Sequence, residues 1–236
     1  MNFEKVLADI RTGKPVLVYD FDDREGETDI TVASEFVTYE TVRLLRKEAG
    51  GLVCTTTPHK IAKDIGLPFM ADVYYDDSGR FPVLKAMAPN DIPYDRTKSS
   101  FGVTINHRKT YTGITDRDRA LTISRYAEVI FQDKSPSEIA EQMGREFRSP
   151  GHVHLLNASE RLLTGRKGHT ELCTALMYMA GVRPSATICE MMGDDGNAKS
   201  KKEALSFAEE NGFQFVTGNE VIEKWEEFKQ KTGADL

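Results

Sequence analysis

The densest group of chemically active side chains lies in residues 20–29, which contain six carboxylates and one arginine, Arg24. Like charges at this density repel one another, and a bound divalent cation would compensate them. Mg²⁺ takes oxygen ligands and keeps several waters, so one or two protein carboxylates are sufficient. Arg24 could offset part of the charge or hold a phosphate. The alternative is a solvated acidic loop, and the spacing is not that of an EF-hand.

A second group consists of Arg166, Lys167, Gly168, His169 and Thr170, at the start of a segment with an apolar helical face. Backbone N–H groups at a helix N-terminus favour anions, so two cations and a threonine hydroxyl beside them would form a phosphate cradle. His169 could also ligate a metal through one ring nitrogen. The alternative is a helix start with a chance basic pair. The spacing is not that of a Walker P-loop.

Further candidates lie on predicted strands. His152 and His154 alternate, so their side chains share one face of a strand, and each could instead be a structural histidine. Glu190 ends an apolar strand, where it could act as a general base or be the solvated end of that strand. Cys54 and Cys189 lie in apolar runs and are predicted to be core residues.

Helix and strand patterns are mixed along the whole chain, and no linker or repeat divides it. We therefore predict one domain over residues 1–236, with an α+β (α/β-like) fold in which helices flank a mixed, twisted sheet as a three-layer sandwich. Residues 67–93 are predicted to be loop with short strands. Helices are predicted at 3–11, 38–49, 115–132, 169–181 and 201–210 and from Ser135 and Thr217, and strands at 16–19, 30–33, 52–55, 101–105, 152–156, 186–191 and 213–216.

The composition excludes several classes of partner. The chain has 236 residues and a net charge of −6, and residues 20–29 account for five of those charges. An acidic chain without a basic face is a poor binder of nucleic acid or of a membrane surface. Three cysteines without a CxxC pair argue against disulfides and zinc ribbons and favour a reducing compartment. With no leader and no apolar run that could span a bilayer, a cytoplasmic location is expected.

Taken together, these segments resemble 3,4-dihydroxy-2-butanone 4-phosphate synthase. Residues 22–29 are similar to the family's Asp-Arg-Glu-Asn-Glu-Gly-Asp signature, with departures at Gly26 and Thr28. The resemblance extends from Phe3 to about Trp225 and is weakest over residues 72–99. No GTP cyclohydrolase II domain follows, so the monofunctional form is expected. Further family blocks occur in order at residues 67–70, 112–115, 150–153, 166–171, 189–190 and 193–196.

The resemblance implies an enzyme that converts ribulose 5-phosphate into L-3,4-dihydroxy-2-butanone 4-phosphate and formate. It implies Mg²⁺, with Mn²⁺ as an alternative, held by Glu25 and His169, and no organic cofactor. His152 and Glu190 would be essential for activity. The family forms homodimers, and His152 is expected to complete the site of a second copy. The residues that would contact substrate are Arg24, Glu25, Glu27, Asp29, Cys54, Thr112, Arg166, Lys167, Gly168, His169, Thr170 and Glu190.

Two other classes of function compete with this reading. One is a binding module like the YrdC-type proteins, which bind nucleotide and tRNA, and the acidic charge balance speaks against it. The other is an inactive paralogue, which would be free to lose Glu25, His152, His169 and Glu190. The nearest enzymatic alternative is a metal-dependent sugar-phosphate isomerase or aldolase. We also expect that removing Glu25, as a repelled carboxylate, would not unfold the metal-free chain and could stabilise it.

Overall fold

A computed structural model describes residues 2–87 and 91–233. Its seven strands form one sheet in the order β4-β5-β3-β6-β2-β1-β7. The β1/β7 and β3/β5 pairs are parallel and the other neighbours are antiparallel, so the sheet is mixed as predicted. The strands are β1 (Val16–Tyr19), β2 (Thr28–Ala33), β3 (Cys54–Thr57), β4 (Phe101–His107), β5 (Phe147–Asn157), β6 (Ala186–Glu190) and β7 (Gln214–Thr217).

Helices cover both faces of this sheet. The α-helices are α1 (Phe3–Arg11), α2 (Tyr39–Leu44), α3 (His59–Ile65), α4 (Met70–Asp76), α5 (Pro82–Met87), α6 (Asp116–Ile130), α7 (Pro136–Glu146), α8 (His169–Ala180), α9 (Lys201–Asn211) and α10 (Gly218–Thr232). Buried side chains of α1, α8 and α10 form a core on one face, and those of α2, α6, α7 and α9 form a core on the other. The three-layer prediction is confirmed.

Local capping explains where several helices begin. Thr38, Ser135, Ser200 and Thr217 each accept a hydrogen bond from the backbone N–H three residues later, in reciprocal capping boxes. The side chain of each residue therefore satisfies donors that the first turn of its helix leaves unpaired. Helix α8 begins differently: its N-cap is Gly168, which has no side chain to donate or accept.

The prediction for residues 67–93 is wrong over most of that segment. The chain forms α4 and α5 there instead of short strands, whereas residues 88–90 lie outside the described part of the chain. Neither helix buries a side chain, so neither carries the one-sided apolar pattern that marks a helix in a sequence. Helix α3 was also not predicted, β3 begins two residues later than predicted, and β5 is about twice as long as the predicted 152–156.

No helix within residues 2–87 and 91–233 combines the length and the apolar character that crossing a membrane requires.

Candidate active site

A cavity of about 360 Å³ opens beside the N-terminus of α8 and the ends of β2, β3 and β6. Its volume is in the range of small-molecule sites. Four predicted site residues, Thr112, His152, Lys167 and Gly168, belong to the described part of the chain and lie outside the lining. The cavity is lined by nine of the predicted site residues, namely Arg24, Glu25, Glu27, Asp29, Cys54, Arg166, His169, Thr170 and Glu190.

The acidic segment is folded around Asp20, which is almost completely buried. One carboxylate oxygen of Asp20 accepts the backbone N–H of Glu27 at 3.0 Å. The other accepts the N–H of Glu25 at 3.0 Å and Nη1 of Arg24 at 3.1 Å. Asp20 therefore shapes the loop that presents Glu25 and Glu27 to the cavity. The composition of the loop did not distinguish this carboxylate from its five neighbours.

Glu25 and His169, the two predicted metal ligands, meet inside the cavity. His169 Nδ1 donates to Glu25 Oε2 at 3.0 Å, and His169 Nε2 lies 3.7 Å from Asp29 Oδ1. Burial opposes the charge on Glu25, but His169 and Arg24 lower the pKa of Glu25 to about 2. Burial also opposes the charge on His169 and so lowers its pKa. The charges of Asp29 and Glu25 outweigh this effect and raise the pKa of His169 to about 10. The two residues form a partly buried ion pair.

Asp29 and Glu190 are opposite one another in the antiparallel β2/β6 ladder, so both carboxylates reach the same side of the sheet. Glu190 Oε2 accepts the backbone N–H of Leu52 at 2.8 Å, which fixes the carboxylate at the cavity wall. Burial, with the neighbouring carboxylates, raises the pKa of Asp29 well above its usual range and also raises that of Glu27. Cys54 is a neutral part of the wall, because burial raises the pKa of its thiol.

Two arginines form the other wall, and a carboxylate that sequence reasoning missed links them. Asp95 Oδ2 lies 3.2 Å from Arg24 Nη2 and 2.8 Å from Arg166 Nε. Arg166 Nη1 also pairs at 2.9 Å with buried Glu171. A Cβ on Gly168 would lie 2.2 Å from Arg166 Nη1 and 2.9 Å from Arg24 Nη2, so only glycine permits this approach. Asp95 lies in the stretch that resembles the family least, so no motif pointed to it.

The residues present fit a divalent cation. Ligand atoms of Asp20, Glu25 and His169 all lie within 4.8 Å of one another. Asp29 Oδ1 and His169 Nε2 are buried, and within the described residues they have no hydrogen-bond partner. Hard cations such as Mg²⁺ bind carboxylate oxygens, and a histidine nitrogen can complete such a set. Asp20 already accepts three hydrogen bonds from the loop, so Glu25 and His169 are better placed than Asp20 to bind a cation.

Gly168 lies against the two arginines, and the other three predicted residues outside the lining occupy two other places. His152 is exposed on β5, and Asn106 on β4 contacts both its ring and the backbone carbonyl of Thr112. Lys167 is exposed and lies in a surface groove with Asp22 and Asp23 on the outer side of the acidic loop. Within one chain, the structure thus brings together the acidic loop and α8, and leaves His152 and Thr112 apart from them.

Known proteins of one family are similar to this chain in sequence and in fold. The family model for 3,4-dihydroxy-2-butanone 4-phosphate synthase matches residues 4–224. The synthase of that name from Methanothermobacter thermautotrophicus is 46% identical over 227 residues, which is 96% of this chain and 96% of its own. The one from Archaeoglobus fulgidus is 44% identical over 232 residues, or 98% and 96% of the two chains.

Solved structures agree. A structure of 3,4-dihydroxy-2-butanone 4-phosphate synthase in complex with two magnesium ions is 26% identical, with a TM-score of 0.72 over the full length of both chains. A cation-free form of a synthase of that name has 25% identity and a TM-score of 0.73, and covers 99% of each chain. The chain therefore belongs to the 3,4-dihydroxy-2-butanone 4-phosphate synthase family and is an enzyme of riboflavin biosynthesis.

Proposed function

We propose that this enzyme converts D-ribulose 5-phosphate into L-3,4-dihydroxy-2-butanone 4-phosphate and formate, with Mg²⁺ or alternatively Mn²⁺ as the metal and without an organic cofactor. The observation that carries the proposal is that a carboxylate–histidine pair and two arginines open onto one cavity. A sugar phosphate needs both features, because its carbonyl end requires a Lewis acid and its phosphate end requires cations.

Each part of the cavity has a role in this reaction. Glu25 and His169 would hold the cation, which supplies a Lewis acid for the substrate's oxygens. Arg24 and Arg166 bind the phosphate, together with Thr170 and the N–H groups at the start of α8. The remaining carboxylates, including Glu190 beside the carbon chain, move protons. Asp29 and Glu27 hold protons to higher pH than ordinary carboxyls do, as general acids require.

The decisive experiment is a formate assay with purified protein, ribulose 5-phosphate and Mg²⁺, with and without EDTA. We expect formate only when the metal is present. Glu25→Gln and His169→Ala should abolish it, whereas Asp23→Asn, an exposed carboxylate of the same loop, should retain it. Folded, metal-loaded protein that makes no formate would refute the proposal. Consumption of ribulose 5-phosphate without formate would indicate an isomerase or an aldolase instead.

The position of His152 supports a homodimer with shared sites. His152 lies outside the cavity of its own chain, so we propose that it completes the cavity of a second copy. Mixing inactive His152→Ala and Glu25→Gln chains should then restore about one quarter of the wild-type activity, because half of the dimers are mixed and each has one intact site. Each variant mixed with itself is the control. A mixture that recovers nothing after subunit exchange would contradict shared sites.

Two further expectations accompany this proposal. One sheet contains all seven described strands, which supports a single domain. The three cysteines are buried as free thiols, which supports the expected reducing, cytoplasmic compartment.

A further inference from the structure

We infer that Asn106 is the positioning residue for His152, and that it fixes both the orientation of the imidazole and the nitrogen that carries its proton. Asn106 lies near the end of β4, where the ladder with β5 is interrupted. Ile105 pairs with Val153, but the next residue, Asn106, pairs with Arg148, so residues 149–152 form a bulge. Bulges re-aim side chains, and this one leaves the backbone N–H of His152 without a ladder partner.

The side chain of Asn106 fills that gap and is 3% exposed. Its Oδ1 accepts the backbone N–H of His152 at 2.8 Å. Its Nδ2 lies 3.4 Å from the carbonyl oxygen of Thr112 and 3.1 Å from Nδ1 of His152. A backbone N–H can only donate and a carbonyl can only accept, so these two contacts independently determine which way the amide faces.

The proton on His152 follows from that orientation. Because Nδ2 of Asn106 is a donor, Nδ1 of His152 must accept, and the neutral ring carries its proton on Nε2. His152 is exposed, so its Nε2–H edge is available to a molecule outside this chain's own cavity. The functional consequence rests on the proposed role of His152 in a shared site. Orientation of an imidazole by a hydrogen bond to its other nitrogen is a recurrent requirement in acid–base catalysis.

Two glycines, which have no side chain, allow the chain to pack closely around the amide of Asn106. Gly113 has a φ of +89°, and a Cβ there would lie 2.1 Å from Nδ2 of Asn106. A Cβ on Gly151 would lie 2.0 Å from the carbonyl carbon of Ile105. The turn that contains Thr112 and the bulge that contains His152 therefore close tightly around Asn106. This explains why Thr112, a predicted site residue, is found beside His152 and away from the cavity.

The test combines spectroscopy with kinetics on the full-length enzyme. Long-range ¹H–¹⁵N spectra of histidine-labelled protein should show a proton on Nε2 of His152 in the wild type. Asn106→Asp should move the proton to Nδ1, because a carboxylate only accepts. Asn106→Ala should give the mixed pattern of an unheld ring. Asn157→Ala removes another buried amide of the same sheet and should leave the His152 signals unchanged.

In kinetics, Asn106→Ala should lower kcat by about 10–100-fold with KM changed by less than about threefold, because a misaligned acid–base group affects turnover more than binding. Asn106→Asp should also lower kcat, because the carboxylate holds the ring in the opposite tautomer, with Nε2 as an acceptor instead of a donor. An unaltered His152 spectrum in Asn106→Ala, or a wild-type kcat in Asn106→Asp when the His152 proton lies on Nδ1, would overturn the inference. Absence of formate from the wild type would refute only the proposed function, because the spectra test the Asn106 contact separately.

Discussion

At the scale of single residues, Glu25 and Asp29 lie only four positions apart in the sequence but have opposite electrostatic surroundings. Glu25 contacts His169 and Arg24, and its pKa is lowered to about 2. Asp29 is almost completely buried, its Oδ1 approaches His169 no closer than 3.7 Å, and burial raises its pKa. Glu25 is therefore not the repelled carboxylate that the sequence analysis expected. Arg24 offsets part of its charge, as the sequence suggested, and His169 adds a second compensation beside it.

This difference predicts opposite effects of two amide substitutions on stability without metal. Glu25→Gln should destabilise the fold by about 1–3 kcal/mol, because it removes the carboxylate that pairs with His169 and leaves the buried imidazolium without this partner. Asp29→Asn should stabilise it by about 1–2 kcal/mol, because it removes a carboxyl that burial disfavours. Urea unfolding at pH 7 in EDTA measures both. If the two substitutions shift the free energy of unfolding in the same direction, this account of the loop is incorrect.

At the scale of elements, a glycine at the N-terminus of α8 lets the two arginines pack closely against the start of this helix. Gly168 caps this helix with a β-region backbone, and both guanidinium groups pack against its Cα. A methyl group there would meet the flexible ends of Arg24 and Arg166 rather than backbone. The fold can therefore accommodate alanine, but only if the arginines move.

Gly168→Ala should consequently affect binding more than folding. We expect a stability loss of about 1 kcal/mol or less from the poorer N-cap. The KM for ribulose 5-phosphate, the proposed substrate, should rise by about tenfold or more, because the two arginines proposed to bind its phosphate would be displaced. Gly144→Ala is the matched control, because a Cβ at that helical position meets nothing within 4 Å. A KM that stays at the wild-type value in Gly168→Ala would show that the arginines do not need this close approach.

The helices and strands also differ in how clearly local sequence signals predict them. Helices with a capping box or an apolar face, such as α7 and α8, have the predicted starts, because capping and periodicity are local properties. Helices α4 and α5 lack both signals and bury no side chain, so their sequence resembled a loop. Strand β2 extends back to Thr28, because pairing with β1 and β6 draws Asp29 out of the acidic loop into the sheet.

At the scale of the whole molecule, one ion pair joins α6 and α7 and reaches the edge strand β4. Glu146, at the end of α7, accepts Nε and Nη2 of Arg125 at 2.5 and 2.7 Å, and His107 Nε2 lies 3.5 Å away. The hydrogen bond from Arg125 is the main reason that the pKa of Glu146 is lowered from 4.5 to about 2. A lowered folded-state pKa gives stabilisation that is complete above pH 4.5 and is lost as the pH falls toward 2.

Glu146→Gln should therefore be less stable than the wild type by about 1–2 kcal/mol at pH 7, and this difference should shrink steadily below about pH 4.5. Urea unfolding at pH 7, 5 and 3.5 checks both the size and the trend. Glu141→Gln, an exposed carboxylate of the same helix, should change little at any of these pH values. A difference that is constant with pH would mean that the Glu146 charge does not contribute to stability.

The sequence by itself determined the class of fold, most element positions and nine residues of the cavity. Periodicity, helix caps and ordered motifs depend on residues that are close together in the sequence, so they can be recognised without the structure. Only the tertiary structure decided how charges are paired and which residues meet. Asp95 between Arg24 and Arg166, and Asn106 against His152, join side chains that are 46–71 positions apart. Such contacts depend on strand register, bulges and close packing, which no local pattern encodes. The same physics separates His152 from the cavity of its own chain, although the sequence places it among the site residues.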